Sequence, residues 1–155
     1  MPYASRNEPL EFAKRTWKNL RHIETAKETG ADVHEVTQLA CSLLGLIVFP
    51  WEKDLVKKVS ALKLENLTQN GWPRWEVCLG NCETLGQLIK HLRNAVAHGR
   101  MVFSSDSTNL RDVTFTVEDY YKGKKDPWCA HIRANDLRAF CLKFVRLLEG
   151  KNRLI

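Results

Sequence analysis

The chain has 155 residues, which fits one domain, and a domain of this size buries roughly two-thirds of the surface that its unfolded chain exposes. Its 44% hydrophobic and 27% charged residues form an ordinary globular balance. The net charge of +6 is compatible with an anionic partner but is too dispersed to identify one.

Neither a secreted nor a membrane-spanning protein is indicated. The five cysteines have no framework spacing and are interpreted as reduced thiols of a cytoplasmic protein. The first 17 residues lack the apolar core and cleavage site of a signal peptide. The longest apolar run, Leu39 to Trp51, is too short to span a bilayer and contains Pro50, so it predicts a buried helix and no membrane partner.

Helical periodicity dominates the first half of the chain. A first helix is predicted from Glu8 to about Ala26, with Gly30 as its stop. Asp32 is predicted to cap a second helix that is apolar over much of its circumference and should lie at the centre of the core. Pro50 should break or kink this helix, and Trp51 to Leu64 should continue as a helical piece.

The next segment, Leu64 to Asn81, is rich in turn residues and receives no assignment. A third helix is predicted from about Cys82 to Ala97. Thr84 or Asn81 would cap its start, and Gly99 would end it.

The period then changes to that of strands. The segments 101–104, 113–121 and 128–133 are rich in β-branched and aromatic residues, which predicts a small antiparallel sheet with a hairpin at 121–127. A last helix, capped by Asn135 or Asp136, should run to Glu149 and end at Gly150. The predicted fold is mainly α: a single domain, 1–155, forming an antiparallel helical bundle with a β insertion at roughly 100–133.

The third predicted helix carries an unusual set of polar residues. Its apolar residues gather in one stripe, and a polar face lies opposite, formed by Gln87, His91, Asn94 and His98. Asn94 and His98 are four residues apart, close enough to contact one ligand, and Arg93 lies on the flank.

These residue types suit metal-independent RNA cleavage. A histidine can take the proton of a 2′-hydroxyl, an arginine can stabilise charge on the phosphate, and an asparagine can orient either group. DNA lacks the 2′-hydroxyl and should be spared. A simpler explanation is that His98 only meets the negative end of the helix dipole and that Arg93 extends into solvent.

The run from Arg93 to His98 resembles the R-x4-6-H motif of the HEPN superfamily, in its form of arginine, polar residue and histidine at a helix end. The segments LGLIVFPWEK and LIKHLRNAVAHGR, with the β insertion, are similar to small bacterial HEPN proteins carried on plasmids and defence islands. The resemblance covers nearly the whole chain in outline, and about a dozen residues in detail.

This resemblance implies roles and partners. Arg93 would stabilise the phosphate, Asn94 would support it, and His98 would act on the 2′-hydroxyl. HEPN proteins typically form two-fold dimers with facing motif helices, so the polar face would line a composite cleft. The implied products are a 2′,3′-cyclic phosphate and a 5′-hydroxyl. The implied biological role is that of a toxin or antiviral-defence effector, with an antitoxin or defence protein as a further partner.

Further basic residues are candidates for RNA binding: His91, Arg100, Lys122, Lys124 and Lys125. His91 can equally be an exposed or interfacial polar residue, and the three lysines can equally be a solvated hairpin tip. Trp72 and Trp75 could stack on bases if exposed, but tryptophans more often anchor a loop to the core.

No metal or cofactor is expected. Cys78, Cys82, His91 and His98 do not have a usual zinc spacing, and no glycine-rich loop for nucleotide phosphates occurs. The leading hypothesis is therefore a metal-independent HEPN endoribonuclease. The alternatives are a non-catalytic module of the same fold that binds RNA or protein, and a structural protein whose histidine only caps a helix.

Overall fold

A computed structural model describes residues 8–52 and 56–150 of the chain, which fold as a helical assembly with one sheet. The predicted mainly α fold, a HEPN-like bundle with a small antiparallel sheet before the last helix, is confirmed. The helices are α1 Glu8–Glu28, α2 Glu35–Leu43, α3 Phe49–Glu52, α4 Leu64–Gln69, α5 Leu85–Ala97 and α6 Ala134–Leu148. The strands are β1 Glu76–Leu79, β2 Met101–Phe103, β3 Thr114–Asp119 and β4 Trp128–Arg133.

The apolar second helix lies in the core, as predicted, and passes through a π-helical turn, Leu44–Val48, before α3. Pro50 lacks an N–H and crowds the preceding turn, and the wider π turn accommodates it without ending the helix. Gly45 lies where α1 crosses this turn. A Cβ there would stand 2.3 Å from Oγ1 of Thr16, so only glycine permits the close approach.

The segment between α3 and α4 contains a 3₁₀ turn, Lys57–Val59. The helical continuation predicted for 51–64 is therefore only partly found, and residues 53–55 of it lie outside the described part of the chain. None of the helices in the described ranges is both long enough and apolar enough to cross a membrane.

Helix α5 lies between two layers. Its apolar stripe, Leu85, Leu88, Ile89, Leu92 and Ala95, is buried, and the helix packs on the π-helical turn and on β3. Thr84 caps the start: its Oγ1 accepts from the backbone N–H of Gln87, and Oε1 of Gln87 accepts from the N–H of Thr84. The helix begins at Leu85 rather than at Cys82 because this capping box sets its first turn.

The sheet has the strand order β1-β4-β3-β2, with every pair antiparallel. The three predicted strands and their hairpin are found. The unassigned segment contributes α4 and the edge strand β1. Alternate residues of β3 and β4 face the helices and are buried: Phe115, Val117 and Asp119 on β3, and Trp128, Ala130 and Ile132 on β4.

Two predicted helix caps are wrong. The residue before α2 is His34 rather than Asp32, and the residue before α6 is Arg133 rather than Asn135 or Asp136; neither caps with its side chain. For α6 the reason is that β4 runs directly into the helix, and the N–H of Ala134 donates to the carbonyl of Val113 in the neighbouring chain segment.

The tryptophans of the 64–81 segment anchor it to the core. Trp72 and Trp75 are buried, and both rings pack edge-on against Phe140 of α6. The base-stacking alternative is therefore not supported for either residue.

Candidate functional site

The end of α5 is set by its backbone. Gly99 adopts φ 63°, its N–H donates to the carbonyl of Val96, and the N–H of Arg100 donates to the carbonyl of Ala95. This pair of bonds is the Schellman arrangement, which needs a left-handed residue after the cap. The carbonyl of Arg100 then accepts from the N–H of Glu118, so the end of α5 lies beside the end of β3.

Asp119, the last residue of β3, is the centre of a polar cluster beneath this helix end. Its side chain is 1% exposed. One oxygen, Oδ2, lies 2.7 Å from Nδ1 of His91, 3.1 Å from Nδ2 of Asn94 and 3.3 Å from Nζ of Lys124. A buried carboxylate needs partners of this kind, because an unpaired buried charge is costly.

The protonation state of this cluster follows from its contacts. Burial by itself would raise the pKa of Asp119, but hydrogen bonds from His91 and Asn94, together with Lys124, outweigh it and hold that pKa below the ordinary value. Asp119 is therefore ionised at neutral pH and can only accept hydrogen bonds. Nδ1 of His91 consequently carries a hydrogen and donates a hydrogen bond to Asp119.

His91 is buried, whereas the sequence predicts an exposed or interfacial residue. It is 6% exposed, and its ring stacks on the indole of Trp128 with a centroid separation of 4.6 Å and an interplanar angle of 6°. The expectation is wrong because the sheet covers the middle of the polar face of α5. The bond of Nδ1 to Asp119 and the stacking on Trp128 leave little of the ring for contact with an RNA phosphate.

Asn94 is held on both sides of its amide. Its Nδ2 donates to Asp119, and its Oδ1 accepts from Nη1 of Arg93 at 2.9 Å. These two bonds fix the orientation of the amide, since a flipped amide would point a donor at Arg93 and an acceptor at Asp119.

An open cavity of about 410 Å³ lies at this helix end, which we call the α5-end cavity. Its lining residues are Asn94, His98, Arg100, Asp119, Tyr121 and Lys124. His98 is exposed, and its ring has no hydrogen-bonding partner among the described residues. The structure thus brings together Asn94, His98, Arg100 and Lys124 of the predicted site, whereas Arg93 is attached through Asn94 and does not line this cavity.

The hairpin lysines differ from one another. Lys122 and Lys125 are exposed, as predicted, whereas the side chain of Lys124 is 9% exposed and lies between Asp119 and Asp126. The expected solvated position is wrong for Lys124 because the buried charge of Asp119 draws it inward. Lys124 and Arg100 both also lie over the ring of Tyr121, at 5.5 and 5.4 Å from its centroid.

A family model described as HEPN pEK499 p136 matches residues 1–153. The chain belongs to this HEPN family. Searches of curated proteins and of solved structures found no match. The suspected membership of the HEPN superfamily is confirmed over nearly the whole chain.

Asp119, which organises the site in this HEPN chain, is not among the residues predicted from the sequence. A signal was present: Val113, Phe115 and Val117 alternate as the apolar face of a strand, and Asp119 is the next residue in that register. A carboxylate at a buried strand position predicts a partner across the core, and His91 and Asn94 are those partners.

Within residues 8–52 and 56–150, no three or more histidine, cysteine, aspartate or glutamate side chains are grouped to hold an ion. The imagined zinc ligand His91 uses its Nδ1 for Asp119 instead.

Proposed function

We propose that this HEPN chain is a metal-independent endoribonuclease that acts in the cytoplasm as a toxin or an antiviral-defence effector. The observation that carries the proposal is the α5-end cavity, where the exposed His98 shares one space with Asn94, Arg100 and Lys124. A proton-accepting ring beside two cationic side chains suits a phosphodiester with an adjacent hydroxyl.

The proposed reaction begins with proton transfer. His98 takes the proton of the ribose 2′-hydroxyl, and the 2′-oxygen attacks the neighbouring phosphorus. The bond from phosphorus to the 5′-oxygen breaks, and that oxygen receives a proton as it leaves. The products are a 2′,3′-cyclic phosphate and a 5′-hydroxyl, and no external co-reactant is consumed.

Cationic side chains would stabilise the extra charge on the phosphate during the attack. Arg100 lines the cavity. Arg93 donates to Oδ1 of Asn94, a lining residue, and is thereby held next to the cavity. A guanidinium can offer two parallel hydrogen bonds to phosphate oxygens, which makes arginine suitable here. Lys124 contributes less, because Asp119 and Asp126 already balance its charge.

The proposed reaction does not use a metal ion. Asp119 is the acidic side chain among the described lining residues, and its Oδ2 already accepts from three donors. A divalent cation would have to displace Lys124 and compete with a protonated His91 nitrogen. The stabilising charge in the proposed transition state therefore comes from arginine rather than from an ion.

A homodimer would complete the site. His98 lies on the exposed end of α5, where an isologous two-fold contact would bring a second copy of the motif to the same RNA. One copy of His98 would then accept the 2′-hydroxyl proton, and the other would donate a proton to the leaving 5′-oxygen. Antitoxin or defence proteins are further proposed partners, and Lys122 and Lys125 would contact the RNA backbone.

The test is cleavage of labelled single-stranded RNA by the purified chain in EDTA, with matched DNA alongside. We expect cleavage of the RNA but not of the DNA, and products that end in a cyclic phosphate. The variants His98→Ala and Arg93→Ala should lose this activity. His22→Ala, which removes an exposed histidine on α1, is the matched control and should cleave normally. Cleavage that persists in both motif variants would refute the proposed mechanism.

A second candidate is a non-catalytic HEPN module that binds RNA or a protein through the same surface. It is favoured by the position of Arg93, which does not line the α5-end cavity. This candidate predicts RNA affinity that is retained in His98→Ala. The wild type should then cleave no RNA at any protein concentration tested, including those that favour a dimer. Induction of the gene in a host separates the two, because only the ribonuclease should arrest growth.

A further inference from the structure

Two cysteines meet on the sheet, away from the α5-end cavity. The Sγ atoms of Cys78 on β1 and Cys129 on β4 lie 2.6 Å apart, although the residues are 51 positions apart in the chain. Both are free thiols, and neither belongs to the cavity proposed for RNA cleavage. Nothing in the proposed ribonuclease mechanism uses them.

The strand register explains why they meet. Val77 pairs with Ala130 and Leu79 pairs with Cys129, and the register shifts between these two pairs. Cys78 is the extra residue in this irregularity, so two residues of β1 oppose one of β4. Cys78 therefore lies opposite Cys129 together with Leu79, across neighbouring strands whose separation a disulfide can bridge.

The pair lies on the outer face of the sheet. Trp128 and Ala130, the residues on either side of Cys129, are buried against the helices, and Cys129 therefore faces outward and is partly accessible. Cys78 is exposed. A small reagent can thus reach Cys78 from solvent while Cys129 stands directly behind it.

We propose that Cys78 and Cys129 form a reversible intrachain disulfide when the folded chain meets a low-molecular-weight disulfide such as glutathione disulfide. The remaining three cysteines lack this arrangement. Cys141 is fully buried, and Cys41 and Cys82 have no second thiol in contact among the described residues. The pair is therefore a specific site of thiol modification rather than a general property of the cysteines.

The proposed reaction has two exchange steps. The Cys78 thiolate attacks one sulfur of glutathione disulfide, which forms a mixed disulfide and releases a glutathione thiolate. Cys129 then gives its proton to that thiolate and attacks the Cys78 sulfur, which forms the protein disulfide and releases the second glutathione. The two protein thiols lose two electrons in total, and glutathione disulfide gains them.

The order of attack follows from the surroundings. Burial, with a hydrogen bond and the nearby charge of Cys78, raises the pKa of Cys129 to about 12, so Cys129 is a thiol at neutral pH. Cys78 is the accessible member and makes the first attack. Cys129 acts as the resolving thiol because it already touches the sulfur that it must reach.

The disulfide would have a structural consequence. Strand β1 is at the edge of the sheet and is paired only with β4 among the described strands. A covalent link would fix this edge strand to β4, next to Trp128, whose indole stacks on His91. Oxidation should therefore raise the thermal unfolding midpoint of the chain.

The experiment treats the reduced, folded full chain with glutathione disulfide, traps remaining thiols by alkylation, and maps the peptides by mass spectrometry. We expect a Cys78–Cys129 cross-linked peptide without retained glutathione, reversed by dithiothreitol. Cys129→Ser should stop at a glutathione adduct on Cys78, and Cys41→Ser, the matched control, should still form the cross-link. Circular dichroism confirms that each variant is folded.

Other outcomes overturn the proposal. A stable glutathione adduct on Cys78 in the wild type would show that Cys129 does not resolve it. A Cys78–Cys78 link between two chains, or unmodified thiols at excess glutathione disulfide, would equally reject the pair. A cross-link that forms as fast in concentrated urea as in buffer would show that the folded register plays no part.

Discussion

Replacing Asp119 by asparagine tests the central cluster of this structure. The change keeps the size of the side chain but removes the charge that accepts from His91, Asn94 and Lys124. A charge-assisted hydrogen bond contributes roughly 1 kcal/mol more than a neutral one, so three such bonds amount to about 3 kcal/mol. This agrees in size with the roughly 3–5 kcal/mol lost when one partner of a buried ion pair is removed.

The assay is equilibrium unfolding in urea, followed by tryptophan fluorescence, because Trp128 stacks on His91 beside the substituted residue. We expect the free energy of unfolding to fall by about 3 kcal/mol. For a chain of this length, that loss corresponds to a decrease of about 6 to 12 °C in the thermal midpoint.

Asp126→Asn is the matched control. Asp126 contacts the same lysine, at 3.4 Å, but its side chain is 65% exposed. Exposed ion pairs contribute little, so this variant should lose less than about 1 kcal/mol. If Asp119→Asn lost no more than Asp126→Asn, the buried cluster would not be the stabilising feature that its geometry indicates.

Gly99→Ala places a Cβ on a residue with φ 63° and should cost about 1 kcal/mol in urea unfolding; an unchanged midpoint would contradict the left-handed cap. The depressed pKa of Asp119 gives stability that is present above about pH 4 and lost as the pH falls below it; Asp119→Asn should therefore show a shallower acid loss than the wild type, and parallel curves would disprove this. Replacing Lys122 and Lys125 together by alanine should reduce the slope of log affinity for single-stranded RNA against log salt concentration by about 1.4. Lys18→Ala, which removes an exposed lysine from α1, should leave that slope unchanged.

Much of the fold could be predicted from local signals. The alternation in 113–121 and 128–133 and the period of α1, α5 and α6 depend on neighbours in sequence, and these elements were found. The capping residue Thr84 and the terminal Gly99 also act within one helical turn. The helix α4 and the edge strand β1 were missed because each is short and is stabilised by packing rather than by its own pattern.

The candidate site likewise combines features that local sequence predicts with features that tertiary packing sets. Local sequence is enough to predict that Asn94 and His98 share one face of a helix that ends at Gly99, because helical geometry and the left-handed glycine are local properties. The burial of His91 under the sheet, the inward position of Lys124 and the contact of Cys78 with Cys129 depend on packing between distant segments. In all three cases a buried charge or a strand register selects partners that are far away in sequence. Asp119, whose partner His91 lies 28 residues away, shows how one such carboxylate fixes the arrangement of the whole site.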